Sequence, residues 1–258
     1  MIDLSIDDML LYSQCPMRYN FSAFLGIDEY TSTFTGQLEE VMRKTMYSFF
    51  NRVGDPQIIP HTMRTYNTLS SRVQIPAEDR GSPRRKETYK SRIEEAREVL
   101  RFACTKILSL PVETVVLSPY TYELNIEGAL VVGYFDAVVV SSGTTHVMVM
   151  DMNRTYPSDE FLSNGIRCTI AHSVYRKLFP EDEKYKVVHF NLYNTAYEIV
   201  NRTEAQIRSC DYELRSIISA MNNTTSTGLW YRSKSQICNT CYANVPCDEI
   251  YRRLCSNG

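Results

Sequence analysis

The chain has 258 residues, 43% of them hydrophobic and 22% charged, and a formal net charge of −2 at pH 7. This is ordinary globular usage, which excludes a disordered chain, a collagen-like chain and a coiled-coil rod. A charge so near balance also excludes a dedicated polycation, so any contact with nucleic acid must come from a local basic patch.

The chain opens on Met1-Ile2-Asp3-Leu4-Ser5, without the basic-then-apolar pattern of a secretory signal. No apolar run reaches the roughly 18 to 20 residues that span a bilayer. A cytoplasmic protein with no membrane partner is expected. Ser5 followed by Asp8 predicts a helix cap, and Cys15-Pro16 ends that short helix. The aromatic-rich stretch 17–24 is expected to pack on a core. A stronger helix is predicted over 36–53, where Leu38, Val41, Met42, Met46 and Phe49 form one apolar stripe before Gly54-Asp55-Pro56 stops it. Residues 55–88 combine weak periodicity with prolines and polar residues, and read as an irregular insertion. It carries the most basic short run of the chain, Arg80-Gly81-Ser82-Pro83-Arg84-Arg85-Lys86. A further helix is predicted over 88–108.

Short β-type runs follow at 115–117, 121–126, 129–140 and 146–152. Glu127-Gly128 and Ser142-Gly143 supply hairpin turns. Helix returns at 158–179, strand at 186–193 and helix at 203–221. The tail over 226–258 is cysteine-rich. The order predicts an α/β fold, a mixed sheet with helices packed on it, forming one domain over 1–258.

Eight cysteines are many for a cytoplasmic protein, where disulfides are rarely kept, and clustered ones point to a metal. Cys238 and Cys241 form a C-x-x-C, and Cys247 follows five residues later. A loop of that length can place three thiolates around one centre. Cys15, at a helix end before proline, is the candidate fourth ligand, and Cys255 competes with it. Soft thiolates select zinc or an iron–sulfur cluster. Spacing alone leaves the two open. Such a site would staple the N-terminal helix to the C-terminal tail. Cys104, Cys168 and Cys210 read as ordinary buried cysteines.

Asp136 and Asp151 each interrupt an apolar strand, where a carboxylate is costly unless paired or metal-bound. On neighbouring strands they could hold a divalent cation, activating water and polarising a phosphodiester. Salt-bridged or turn-proximal carboxylates are the other reading. Glu39 and Glu40 lie in the first turns of a helix, either as a solvated face or as further ligands.

Together these motifs resemble the RecB-type branch of the PD-(D/E)XK nucleases, and within it the iron–sulfur members such as the CRISPR-associated RecB-like exonucleases. The likeness rests on Ser5 to Cys15-Pro16, Gly36-Gln37-Leu38-Glu39-Glu40, Gly133-Tyr134-Phe135-Asp136, Asp151-Met152-Asn153 and the trio Cys238, Cys241 and Cys247. It covers nearly the whole chain except 55–88. It implies a restriction-endonuclease-like mixed sheet flanked by helices, with the N- and C-terminal segments joined through a 4Fe–4S cluster on Cys15, Cys238, Cys241 and Cys247. It also implies Mg2+ or Mn2+ at Asp136 and Asp151 with Glu40 at the edge, and hydrolysis of DNA on single strands or ends. Two features depart from the family. Asn153 stands where its catalytic lysine belongs, and lacks the positive charge to set against the phosphate. Arg154 is adjacent, but strand neighbours point to opposite faces. On the next helix Arg167 stands roughly where the family has glutamine, and the tyrosine after it is missing. The expected function is a DNA-binding or DNA-processing protein with phosphodiesterase activity weakened or lost, working alone or in a replication, recombination or transcription assembly. An active Mg2+- or Mn2+-dependent exonuclease using Glu40, Asp136, Asp151 and Asn153 is one alternative. A zinc-stapled interaction protein is the other.

Arg80, Arg84, Arg85 and Lys86, with Lys90, Arg92, Arg97 and Arg101 beyond, are the candidate phosphate contacts. With Glu94, Glu95 and Glu98 interleaved, a solvated helix face is the competing reading. Trp230 and the tyrosines could stack on bases, though most tyrosines are expected as core or surface residues. His146, His172 and His189 lack ligand spacing, and His172 is expected in the core.

Overall fold

A computed structural model describes residues 3–24, 33–110, 112–152, 166–231, 233, 238, 241 and 247–249. The described elements begin with β1 (Asp3–Ser5), α1 (Ile6–Gln14), α2 (Pro16–Ala23), α3 (Phe34–Phe50) and α4 (Ile58–Ser70). After a 3-10 turn at Ala77–Asp79 come α5 (Pro83–Leu108), β2 (Val112–Leu117), β3 (Tyr120–Ile126), β4 (Ala129–Phe135), β5 (Ala137–Ser141) and β6 (Thr144–Asp151). The series ends with α6 (Ile166–Leu178), β7 (Lys186–Asn191), β8 (Ala196–Val200) and α7 (Glu204–Thr227). The chain divides into two compact units, Met1–Glu29 with Tyr122–Gly133 and Tyr212–Gly258, and Tyr30–Thr121 with Tyr134–Asp211.

In the first unit, Ser5 and Asp8 form a reciprocal cap on α1. The Asp8 N–H donates to Ser5 Oγ at 2.9 Å, and the Ser5 N–H donates to the Asp8 carboxylate at 3.1 Å. Cys15 is extended between α1 and α2, and Pro16 occupies the first turn of α2, where its missing N–H costs nothing. The strands form a three-stranded sheet of order β1-β4-β3, with β1 parallel to β4. Glu127 and Gly128, both at positive φ, make the turn between β3 and β4. Gly133 is glycine because Tyr122 lies flat against it. A Cβ there would come within 2.4 Å of the Tyr122 hydroxyl oxygen. Tyr12 and Thr224 share a buried hydrogen bond of 2.7 Å.

The second unit holds a five-stranded mixed sheet of order β2-β5-β6-β7-β8. Only β6 and β7 run parallel, and α6 lies in the crossover between them and packs against both. Helices α3, α4 and α5 pack together on the sheet. Met42, Met46, Phe49 and Leu100 meet Val139, Met148, Met150 and Phe190 in one buried cluster. This is the mixed, helix-flanked α/β arrangement expected.

Several local expectations are corrected. Residues 55–88 are not irregular: α4 fills 58–70 and α5 starts at Pro83. The buried positions of α4 are Ile58, Thr62, Tyr66 and Ser70. Two of these four are polar, so the helical face does not show as an apolar stripe. Thr62 survives burial by donating to the Ile58 carbonyl at 2.8 Å. At α5, Ser82 caps the helix and Pro83 occupies its first turn. Arg84, Arg85 and Lys86 are therefore helical rather than in a loop. The apolar run 129–140 is two strands in two sheets, divided at Asp136. Strand β8, short and half-exposed, was not anticipated. Among the described residues no helix is long and apolar enough to cross a membrane.

Candidate functional site

Asp136 sits at the break between β4 and β5, 4% exposed. Its backbone continues the ladder, with its N–H donating to the Met148 carbonyl at 3.1 Å. Its side chain is held by three donors. The Arg43 guanidinium and the Tyr47 hydroxyl, the latter at 2.9 Å, both donate to Oδ1, and the Met150 N–H donates to Oδ2 at 2.7 Å. Arg43 and Tyr47 lie one turn apart on α3, so the helix presents both to the same carboxylate. The Tyr134 ring also faces Arg43, with its centroid 6.0 Å from the guanidinium carbon. Burial opposes the charge on Arg43, but Asp136 beside it, with Tyr134 and Tyr47, holds the guanidinium protonated above its usual range. Burial, then Asp136, pushes the Tyr47 phenol up, so it stays a donor.

Glu39, one turn before Arg43 on α3, is half-buried. Burial raises its carboxyl pKa, Arg43 opposes the rise and Asp151 adds to it. Glu40, the residue predicted for this role, is instead on the outward face. It is 46% exposed and pairs with Lys44 at 2.6 Å. On a helix, adjacent residues point about 100° apart, so only one of the two glutamates can face the sheet.

Asp151 ends β6, in register with Asn191 of the parallel β7. Its carboxylate accepts from the Asn191 amide at 3.3 Å and lies 3.5 Å from His189 Nε2. His189 is 5% exposed, and its Nδ1 is buried with no hydrogen-bond partner among the described residues. Met150 belongs to the cluster under α3–α5, so strand alternation turns Asp151 to the opposite face of the sheet. Asp136 is thus tied to α3, Asp151 to β7, and Glu40 faces outward. Among the described residues no three His, Cys, Asp or Glu side chains stand where they could hold a metal ion. Asp136, buried, paired with Arg43 and already accepting three hydrogen bonds, fits poorly as a ligand to Mg2+, which keeps several waters. Asn153 lies outside the described residues. Arg167, near the start of α6, is exposed.

Arg43, Tyr47 and Asn191 were not singled out from the sequence, and His189 was weighed there only as lacking metal-ligand spacing. A signal for the first two was present, because Glu39, Arg43 and Tyr47 recur every four residues along the edge of the apolar stripe of α3.

In the other unit Cys15, Cys241 and Cys247 gather around Met17, Phe21 and Trp230 in a small apolar cluster. The Cys241 N–H donates to the Cys238 carbonyl at 3.4 Å, and Cys238 Sγ lies 3.7 Å from the Ser233 carbonyl oxygen. All four are free thiols. A backbone hydrogen bond of 3.2 Å ties residue 17 to Tyr231 beside this cluster, and the four sulfurs do not stand together as a metal site among the described residues. Tyr19 and Phe24 pack edge to face, and both meet the Trp230 ring at a tilt. Trp230 is therefore packing against the cysteines in this structure.

The basic run is divided in its contacts. Arg80 donates to the Ile75 carbonyl at 2.9 Å, and Arg85 pairs with Asp79. Arg84, Lys86 and Lys90 are exposed along the first turns of α5. Further along, Arg97 and Arg101 pair with Glu94 and Glu98.

No protein-family model and no curated protein matches the chain. Among solved structures, it resembles a candidate exonuclease from Eubacterium rectale at a TM-score of 0.52 and 8% identity, over 93% of this chain and 87% of that one. The protein SSO0001 aligns over 94% of this chain and 84% of its own, at 14% identity and a TM-score of 0.41. The protein VC1899 from Vibrio cholerae aligns over 76% and 57%, at 9% identity and a TM-score of 0.27. At such identities the first likeness speaks to architecture alone: the fold of this chain is similar to that of the candidate exonuclease.

Proposed function

We propose that this protein binds and helps to process DNA on a nuclease-like fold whose phosphodiesterase chemistry is weakened or lost. The single observation that carries this reading is the state of Asp136. The carboxylate expected to hold the catalytic cation is buried and satisfied by Arg43, Tyr47 and a backbone N–H. Asn153 in place of a lysine points the same way. The fold shared with a candidate exonuclease supports a nucleic-acid ligand. Arg84, Lys86 and Lys90 supply exposed positive charge for phosphate contact. Cys15, Cys238, Cys241 and Cys247 would hold a 4Fe–4S cluster, with zinc as the other occupant their chemistry allows. Iron and sulfide content after oxygen-free purification distinguishes the two, together with absorption near about 400 nm.

The test is a gel shift with labelled single- and double-stranded DNA at two salt concentrations. Binding should weaken as salt rises. Substituting Arg84, Lys86 and Lys90 together by alanine should weaken it at every sequence alike. Absence of any shift with both DNA forms at low salt would refute the DNA reading.

A further inference from the structure

We infer that the Arg43 guanidinium is the resident cation of the Asp136 carboxylate, and that it closes this acidic site to a divalent metal ion. The inference deepens the proposed function and rests on reading the fold as nuclease-like. Three independent features of the second unit support it.

The first is occupancy. A Mg2+ ion needs oxygen ligands at about 2.0–2.1 Å and keeps several waters. Asp136 is 4% exposed, and three of the roughly four lone-pair sites of its carboxylate already accept hydrogen bonds, two on Oδ1 and one on Oδ2. The second is charge. Arg43 cancels Asp136 one for one, and its own side chain is 23% exposed. Leaving Asp136 would strand a largely desolvated guanidinium, so displacement by a weakly held ion is unfavourable. The Tyr134 ring faces Arg43, and the Tyr47 hydroxyl donates to the same Asp136 oxygen that Arg43 engages. The third is divergence. Asp151 is turned to β7, where Asn191 and His189 engage it, and Glu40 is paired with Lys44 on the outward face. Among the described residues no three His, Cys, Asp or Glu side chains come together as a metal site, and Glu39 is the half-buried acidic side chain of α3.

This assignment gives Arg43 a definite role. It replaces the mobile cation of a hydrolytic site by a tethered one that cannot carry water to a phosphodiester. It also predicts a gain. Removing the guanidinium while keeping its aliphatic bulk leaves the buried Asp136 carboxylate without its cation, an oxygen ligand that another cation can answer.

The experiment is titration of Mn2+, followed by electron paramagnetic resonance of the free ion, into the full chain and four variants. Arg43→Met should bind one Mn2+ at least about tenfold more tightly than the wild type, a free-energy gain of about 1.4 kcal/mol. Adding Asp136→Asn to Arg43→Met should abolish the gain, and Arg43→Lys should show none. Saturable Mn2+ binding by the wild type that Asp136→Asn alone removes would overturn the inference. So would a folded Arg43→Met that gains nothing, or a gain that survives Asp136→Asn. If Arg43→Met does not fold, the wild type against Asp136→Asn decides: no difference between them upholds the inference, and a lost site overturns it. A DNA gel shift on the same samples keeps the two readings apart. Loss of DNA binding sinks the proposed function and leaves the Mn2+ result standing on its own.

Discussion

A carboxylate cannot stay charged inside a protein unless something fixed answers it, and at Asp136 the answer comes from α3 and β6. Removing one partner of such a pair costs more than the pair is worth, because the other charge stays buried. Asp136→Ala should therefore cost about 3–5 kcal/mol in chemical denaturation, and a much smaller loss would mean that Arg43 reaches solvent. Glu39 obeys a different sign. Its carboxyl is raised in the folded chain by burial and by Asp151, against Arg43. The folded state thus holds its proton more tightly, and stability falls as pH rises from the ordinary 4.5 through the raised value. Glu39→Gln should remove that slope. His172 works the other way. It sits 2.7 Å from the Val200 carbonyl through Nε2 and 3.2 Å from the Tyr185 hydroxyl through Nδ1, so Nε2 donates and the ring is neutral. Burial lowers its proton affinity, the Val200 carbonyl opposes, and Arg202 and Arg176 lower it further. Stability is full above 6.5 and is lost as pH falls from there through the depressed value. Denaturation midpoints of His172→Gln should be flatter across that window. The positions of Asp136 and Asp151 in apolar strands marked both as unusual in the sequence. Which partner each would take was not legible, because Arg43 is 93 positions from Asp136 and only the folded sheet brings them together.

Among the elements, the legible ones carry local signals that agree with the fold. Ser5 and Asp8 announce the start of α1, and Ser5→Ala should cost about 1 kcal/mol through the lost cap. Glu127-Gly128 and Ser142-Gly143 announce turns, and all four residues adopt positive φ. The failures have equally local causes. Helix α4 buries threonine and serine where an apolar stripe would show. The run 129–140 gives no break by hydrophobicity, and Asp136, read for its chemistry, is also where the chain leaves one sheet for another. Gly133 was read as part of a motif, and in the structure its work is steric. Gly133→Val should destabilise by about 1–3 kcal/mol, because the buried Tyr122 ring must move to admit it. An unchanged melting curve would show that the ring moves freely.

At the scale of the whole chain, composition and element order were enough for an α/β fold with helices on a mixed sheet, and the likeness to the Eubacterium rectale protein agrees with it. The division into two sheets was not legible, since strand runs read along a sequence do not say which edges pair. Of the four cysteines expected to share a metal, Cys15, Cys241 and Cys247 pack in one apolar cluster. Asp136 and Asp151 stood out in the sequence as carboxylates in apolar strands, and the Arg43 cation that answers Asp136 did not. The most direct test is cleavage of labelled single- and double-stranded DNA in Mg2+ or Mn2+, by protein purified without oxygen, with Asp151→Ala beside it. The account predicts shifted but uncut DNA in both samples. Cutting by the wild type that Asp151→Ala abolishes would contradict it.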